Sequence, residues 1–574
     1  MSGIDAFVES VFGPIATWLS NVVFFEAPIF GGVPIIVVWL MAAAIFLTVW
    51  LRFQPITGLK HSLQVIRGRY TAKTDPGEVS SFQALATELS GTVGLGNIAG
   101  VAVAIVAGGP GAALWIVIFG FFGMSVKMAE ATLGVMFRRV KKDGTTEGGP
   151  MFYLRDGMAT IGWKKTGAVL AVLYAIFTLV GVFGAGNLFQ ANQVSAIVSA
   201  ATGNDFLQTN KWLIGVVMAI LAGVVILGGV KSIARWTSAI TPAMAVLYIL
   251  CVLAIIVMNI GALPGAVAAI VTGAFTAEGV TGGIIGVAVV GIQRALFSNA
   301  AGVGSAGMAH SASKTREPAT EGFTAMWEPL VDSVIVCSLT ALAITVTGVY
   351  ETAGADADGV QLTSAAFGTV AGWFPVLLTV AVALFGFSTV LAYEYYGELS
   401  AKFLFGSGKG VQIGFRIVWV LAVIVGAAIS LDSVIAFSDA MFFLMSVPNL
   451  LGIYFLSKLL RLEILRHKYR VNTGALTAIE DPDLQVGMGS HEPTPEQIEE
   501  AAAADREEEE RLARLHQTLA DDPEFPVRAD HHDESLASPM GAPETPIGEQ
   551  AEPETSGIAD PVGRPDPNGP VREG

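Results

Sequence analysis

Gly91-Thr92-Val93-Gly94-Leu95-Gly96-Asn97 interrupts an apolar stretch, Ser81 to Ala107, that is otherwise fit to cross a bilayer as a helix. Gly91, Gly94 and Gly96 make a poor helix interior, each costing about 0.8–1 kcal/mol against alanine. A helix that breaks inside lipid frees backbone groups that hydrocarbon does not satisfy. Such a break persists only where protein, water or a solute meets those groups. Far downstream, Phe297-Ser298-Asn299-Ala300-Ala301-Gly302-Val303-Gly304 interrupts a second apolar stretch. Two glycine-interrupted segments at matching places in two halves mark the binding site of a secondary transporter. The two breaks are therefore expected to face each other and to hold a small solute and its coupling ion.

Composition supports a membrane setting. The chain has 574 residues, 53% hydrophobic and 14% charged, against about 25% charged in soluble domains. Mean hydropathy is +0.60. The net charge of −16 is unevenly spread: from Val471 onward 25 acidic and 6 basic side chains leave −19, so the rest carries +3. The acidity belongs to a tail and says nothing of the substrate. Three regions follow: an N-terminal interfacial segment (1–31), a transmembrane transporter domain (32–470) and an acidic, disordered cytoplasmic tail (471–574). Within the tail, Glu496–Ala520 reads as a solvated stretch of helical character. Cys251 and Cys337 lie in apolar segments and read as small core residues. No Lys or Arg precedes the first apolar stretches, unlike a signal peptide's positive start. No phosphate-binding loop or metal-ligand cluster is visible, which argues against a pump or an enzyme.

A span needs about 20 apolar residues. Eleven segments qualify: Gly32–Leu51, Phe82–Ala107, Gly111–Phe137, Gly167–Ala200, Leu213–Val230, Thr237–Ile260, Gly282–Ala312, Phe323–Val349, Phe374–Leu399, Ile413–Leu431 and Val434–Leu456. Basic residues follow every odd-numbered span, from Arg52 and Lys60 after the first to Lys458 and Arg461 after the last. The alternate loops, including Ile260–Thr281 and Glu351–Gly372, are poor in them. Positive loops face the cytoplasm, so the N-terminus is expected outside and the C-terminus inside a cell membrane crossed eleven times. Without the first span, ten remain. Two sets of five must run in opposite directions, the topology of an inverted repeat. The fold class is thus an all-α polytopic membrane protein: a 5+5 inverted repeat with discontinuous helices plus one extra N-terminal helix.

Several motifs, in order, resemble the alanine-or-glycine:cation symporter family. They are Ala84-Leu85-Ala86-Thr87, Gly94 through Val101, Gly108-Gly109-Pro110-Gly111-Ala112, Gly148-Gly149-Pro150-Met151, and Gly186-Asn187 with Gln190. Arg294 with Phe297-Ser298-Asn299, Gly302, Gly304-Ser305-Ala306, Ala309-His310, Glu321-Gly322, Glu328-Pro329 and Tyr395-Tyr396-Gly397-Glu398 continue them. The resemblance covers Gly32 to Leu460. It implies a leucine-transporter-like fold and sodium-coupled uptake of small neutral amino acids. The chain departs from the family pattern at Ala300, where glutamate is usual, and at Glu88, where a small residue is usual. Tyr393 stands for tryptophan and Glu394 for a small polar residue. These departures bear on substrate and ion choice.

Candidate residues follow. Glu88 lies one turn before the first break, where a mid-membrane carboxylate costs about 2.5–3.5 kcal/mol on insertion scales. It is expected either to neutralise the substrate ammonium or coupling cation in place of the carboxylate absent at Ala300, or to bond another helix. Thr92, Gly94, Gly96 and Asn97 supply freed N–H groups for a carboxylate and carbonyls for a cation, with close helix packing the other use of such glycines. The resemblance implies substrate contacts for Asn187, Gln190 and Asn299, and a side-chain pocket bounded by Phe297 and Tyr393. It also implies a sodium site made by the hydroxyls of Ser388 and Thr389 with the backbone of Gly91 and Thr92; bonding back to the preceding turn is the alternative for those hydroxyls. Arg294, His310, Glu328, Asp332 and Glu398 suit a gate or salt-bridge network, with His310 read as a satisfied structural histidine. Lys127 and Glu130, at i,i+3, are expected to pair.

The resulting expectation is a secondary active symporter that imports alanine or glycine with sodium. Its partners are a small neutral amino acid, sodium and the bilayer, with no cofactor and no nucleic acid. The alternatives are proton-coupled uptake through Glu88 or Glu394, a transporter-like nutrient sensor signalling through the tail, and a channel.

Overall fold

A computed structural model of the chain describes residues 3–26, 33–141, 144–276, 283–352 and 359–479. Most of the acidic tail, including Glu496–Ala520, lies outside the described residues, as do Asp356 and Asp358. The described chain is helical apart from a hairpin of two-residue strands, Arg139–Val140 with Thr146–Glu147. Its helices are α1 (Gly3–Val23), α2 (Ile35–Trp50), α3 (Ser81–Thr92), α4 (Val101–Gly108), α5 (Ala112–Met136), α6 (Lys164–Phe183) and α7 (Phe189–Thr202). Then come α8 (Trp212–Ile226), α9 (Gly229–Met258), α10 (Leu263–Gly273), α11 (Gly283–Asn299), α12 (Ser305–Ser311) and α13 (Pro318–Ala325). The last are α14 (Ser338–Thr347), α15 (Gly359–Gly368), α16 (Phe374–Phe405), α17 (Lys409–Gly426) and α18 (Leu431–Thr473).

Among the described residues, seven helices are long and apolar enough to cross a membrane, and the bent pair α3 and α4 forms an eighth. α2, α8 and α11 are shorter apolar helices at the first, fifth and seventh expected spans. Two of the helices above were not expected: α15 falls in the segment Glu351–Gly372 and α10 in the segment Ile260–Thr281, both read above as loops. In α10, Pro264 sits in the helix's first turn, where its missing N–H costs nothing.

Burial sorts the helices. In α17 only 22% of the most apolar stretch is buried, whereas in α18 that share is 72%. α17 therefore faces lipid, and α18 packs through the centre. α18 runs 43 residues, about 65 Å at the α-helical rise, roughly twice the hydrocarbon thickness. It projects from the membrane at its basic end. α1 lies along it, with Ala16 packed on Phe437 and Met441.

Both breaks are present. A capping box of Ser80 and Gln83 starts α3, and the α-helix stops at Thr92. The chain resumes as a wider π turn over Gly96–Gly100 and then as α4, bent by 47°. The second break separates α11 from α12. There Ala300, Gly302 and Gly304 have φ of 51°, 101° and 93°, a region open to glycine and costly for alanine. Val79, before α3, bridges Ser313, after α12. The first broken helix thus begins on the side where the second ends, and the two run in opposite directions.

Candidate substrate and ion site

The breaks touch. A Cβ placed on Gly96 would lie 3.0 Å from Ser298 Cα, so a larger residue there would push the two breaks apart by a few tenths of an ångström. A single carboxylate ties the two together. Asp332 Oδ2 accepts from Asn97 Nδ2 at 2.8 Å, and Oδ1 accepts from Ser298 Oγ at 2.7 Å and Ser333 Oγ at 2.9 Å. Cys337, a small core residue as expected, also borders this junction: its Sγ lies 3.3 Å from Asn97 Nδ2 and 3.4 Å from Ser298 Oγ. Asp332 is fully buried, yet among the described residues no cationic side chain pairs with it. Asp332 sits in a π stretch, Leu330–Cys337, a distortion frequent at functional sites.

Around the first break, Asn97 Oδ1 accepts from Gly94 N–H at 2.8 Å. Thr389 Oγ1 donates to Ser90 O at 2.8 Å and also lies 3.0 Å from Phe385 O. Gln190 Nε2 donates to Ala185 O, while its Oε1 and Ser90 Oγ are buried without a hydrogen-bond partner. Buried polar atoms of this kind call for a partner the polypeptide does not supply. Gln190 Oε1 faces Gly94. Beside Gly91 stands the Tyr393 ring, stacked on Phe442 at 5.9 Å. Phe442 packs on Phe297 at 5.8 Å, and Phe297 meets Phe189 edge-on at 5.0 Å. Four aromatic rings thus wall one side of the break.

The remaining candidates lie elsewhere. Asn187 donates to Trp419 O at 2.9 Å, toward α17. Asn299 caps its own break, accepting from Ala301 N–H, and donates to Ser333 Oγ. Ser388 Oγ bonds Phe385 O and approaches Met244 Sδ. Thr92 Oγ1 bonds back to Glu88 O at 3.1 Å. Glu88 has the contacts of the second role expected of it: Lys127 Nζ and Ser305 Oγ each lie 2.5 Å from Oε1, and Tyr396 bonds Oε2. The expected Lys127–Glu130 pair is not formed. Lys127 turns to Glu88 and, at 3.2 Å, Glu328. Glu130 Oε1 instead accepts from the N–H groups of Gly302 and Gly304 and from Asn449 Nδ2, each at 2.9 Å. The freed donors of the second break are better matched by this carboxylate than by a lysine on Glu130.

The expected network is extensive. Arg294 pairs with Asp439 and covers the Phe297 ring at 5.4 Å. Next to this pair, Asp439 lines a cavity of about 660 Å³ that also meets Glu26, Gln293 and Asp432. Glu398 pairs with Lys402 and Arg416. Residues that sequence reasoning missed are Ser90, Phe189, Phe442 and Asn449; Glu130 was singled out for a different partner.

Two broken, oppositely directed helices that meet at a buried polar junction, within a bundle of apolar helices, define a multi-pass membrane transporter rather than an enzyme. The sequence model of the sodium:alanine symporter family matches residues 16–479, and the chain belongs to that family of amino-acid symporters. It is 40% identical to the sodium/alanine symporter AgcS of Methanococcus maripaludis, across 74% of this chain and 92% of AgcS. It is 34% identical to the probable sodium/glutamine symporter GlnT of Bacillus subtilis, across 74% of this chain and 86% of GlnT. The putative sodium/proton-dependent alanine carrier protein YrbD of Bacillus subtilis is 33% identical, across 70% of this chain and 83% of YrbD.

Proposed function

We propose that the chain imports small neutral amino acids, alanine or glycine, coupled to sodium, through eleven crossings arranged as two inverted sets of five behind α2. The N-terminus is outside, and the tail is cytoplasmic. The observation that carries this reading is the junction of the breaks at Asp332, a buried carboxylate in salt-bridge contact with no cationic side chain among the described residues. A buried charge is costly unless paired, and a monovalent cation restores the balance. Asn97, Ser298 and Asp332 offer oxygens for one such ion. Ser90 and Thr389 offer others beside the first break, next to Gly91, whereas the hydroxyls of Thr92 and Ser388 bond back to their own helices.

The substrate carboxylate goes to the first break. The donors of the second break, Gly302 and Gly304 N–H, are already taken by Glu130. The N–H groups that open the half-helix at Leu95 and Gly96 are of the kind that lack an intrahelical acceptor, and they attract an anion. Gln190 Oε1 is free to accept from the substrate ammonium. The bulk of Phe189, Phe297, Tyr393 and Phe442 limits the substrate to a small side chain. Glu88, its charge met by Lys127, positions the helices around this site. Cation and zwitterion together fill the junction, and the loaded protein changes its open side because it binds them differently in the two states.

Uptake of labelled alanine into proteoliposomes, with sodium replaced by choline and with a panel of competing amino acids, tests the proposal. Concentrative uptake that needs sodium and yields to small neutral competitors is expected. Uptake indifferent to sodium would refute the coupling, and competition led by large side chains would refute the pocket.

A further inference from the structure

Below the site runs a second buried array that the proposed mechanism does not use. Ser81 Oγ donates to Glu321 Oε1 at 2.5 Å. Glu321 Oε2 lies 2.6 Å from His310 Nδ1, and His310 Nε2 lies 2.7 Å from Glu328 Oε1. Glu328 Oε2 lies 3.2 Å from Lys127 Nζ, an ion-pair contact not aligned as a hydrogen bond. Lys127 reaches Glu88, and Glu88 reaches Tyr396. Every titratable member is buried. The array links α3, α5, α12, α13 with the turn that follows it, and α16.

Proton counting constrains it. An ionised carboxylate only accepts, and a neutral imidazole donates from one nitrogen. Two short contacts between His310 and carboxylate oxygens therefore hold two protons: an imidazolium between two carboxylates, or a neutral ring beside one carboxylic acid. With Lys127 as an ammonium, the set of Glu88, Glu321, Glu328, Lys127 and His310 keeps a net charge of −1. Glu130 on α5 faces the same region, and Arg138 lies beyond Glu321. One of the two protons at His310 is held only while Glu321 stays in place.

The position of Glu321 makes that condition mechanical. Immediately outside it, Val79 bridges Ser313, and the Arg138 guanidinium donates to the carbonyls of Pro76, Ser311, Ser313 and Thr315. These contacts close the side of the protein where α3 begins and α12 ends, the cytoplasmic side by its loop charges. Opening there separates the start of α3 and the end of α12, with Ser81 and His310 on either side of Glu321.

We propose that the Glu321–His310–Glu328 set is a proton-binding site whose proton is released to the cytoplasm when this side opens and is rebound when it closes. This inference rests on the transport reading above. A static ion network would keep its protons throughout the cycle.

The test uses the full chain in right-side-out membrane vesicles, with sodium-driven alanine uptake measured at fixed external pH and clamped membrane potential. As internal pH is lowered, uptake is expected to fall by up to roughly tenfold per unit, the slope of one released proton. His310→Gln and Glu321→Gln are expected to flatten this dependence while the sodium half-saturation stays put. Any of three results overturns the proposal: wild-type uptake indifferent to internal pH, a response to external pH alone, or an unaltered internal-pH response in both variants. Vesicles in which the wild type shows no sodium-dependent uptake refute the transport reading instead.

Discussion

Replacing Asp332 by asparagine isolates the charge at the junction of the breaks. The amide oxygen still accepts from Ser298 Oγ and Ser333 Oγ, which lie 2.7 and 2.9 Å from Oδ1. The amide nitrogen then faces Asn97 Nδ2, now 2.8 Å from Oδ2, donor against donor. Loss of a hydrogen bond to a charged group costs about 1.5–3 kcal/mol. Loss of attraction for a cation about 4 Å away costs up to about 4 kcal/mol at an effective dielectric of about 20. Desolvating the native carboxylate offsets much of that attraction. A net loss of roughly 1.5–3 kcal/mol remains, which raises the sodium half-saturation of uptake by about one to two orders of magnitude. Sodium titration of alanine uptake in proteoliposomes reads this directly, and thermal unfolding in detergent controls for folding. Combining Asp332→Asn with Asn97→Asp restores one carboxylate and one amide across the gap, and is expected to recover part of the sodium affinity. A folded Asp332→Asn protein whose sodium half-saturation stays within about twofold of wild type would show that the coupling ion does not bind at this junction.

Other perturbations probe the surrounding structure. Lys127→Met strands Glu88 and Glu328 without their cation; breaking a buried pair in this way costs roughly 3–5 kcal/mol, and a marked drop in melting temperature is expected, unchanged stability counting against the pairing. Gly96→Val drives side-chain atoms into Ser298 and is expected to abolish uptake while the protein still reaches the membrane; normal transport would mean that the breaks are not in contact. Near the basic end of α18, His61 Nε2 meets His467 Nε2 at 2.9 Å, and Glu317 meets His467, Arg466 and Arg470. Burial, then His467 and Lys468, lower the His61 pKa from 6.5 to about 4. Burial raises that of Glu317, but the His467 hydrogen bond and the Arg466 and Arg470 charges outweigh it and bring it below the ordinary carboxylate value. A lowered histidine pKa contributes stability above about pH 6.5 that is lost as pH falls toward 4, and a lowered carboxylate pKa contributes stability that is lost at still lower pH. Hydrogen exchange at the end of α18 is therefore expected to quicken as pH falls below about 6.5, after correction for intrinsic rates, and His61→Gln is expected to remove the upper part of that response; equal protection across this range would show that this cluster does not hold the end of α18.

Backbone breaks were legible because their cause is local. Gly91, Gly94 and Gly96 announce the first, and the positive φ of Gly302 and Gly304 is what glycine at those positions permits. Side-chain partners were less legible because they depend on packing between distant segments. Helical spacing directs Lys127 toward Glu130, three residues away; the fold brings it Glu88, from 39 positions earlier. Asn449, 319 residues from Glu130, carries no mark in the sequence of its part in holding the second break. Phe189 and Phe442 were hidden for another reason: in a chain with 32 phenylalanines, ring position alone separates pocket from packing. α10 was missed because Leu263-Pro264-Gly265 reads as a turn, although proline in a first helical turn is compatible with a helix beginning there.

The two breaks are held so differently that they are expected to play unequal parts. The second is stapled from three sides: Glu130 on α5 takes its N–H groups, Asn449 on α18 donates to Gly302 O at 2.7 Å, and Tyr174 on α6 donates to Val303 O at 2.9 Å. Its freed N–H groups are taken, and the atom beside it left without a hydrogen-bond partner is Glu130 Oε2, on the carboxylate that staples it. The first is held by Asn97, by Asp332 and by Thr389 on Ser90 O, and two polar atoms beside it, Ser90 Oγ and Gln190 Oε1, have no partner. A ligand shifts a conformational equilibrium only through contacts that differ between states, and the first break is where such contacts are available. Adding sodium and alanine is therefore expected to slow amide exchange at residues 91–97 markedly, and at 300–304 little beyond protection already present. Stronger ligand-induced protection at 300–304 would reverse the assignment, making the second break the responsive element and the first its fixed support.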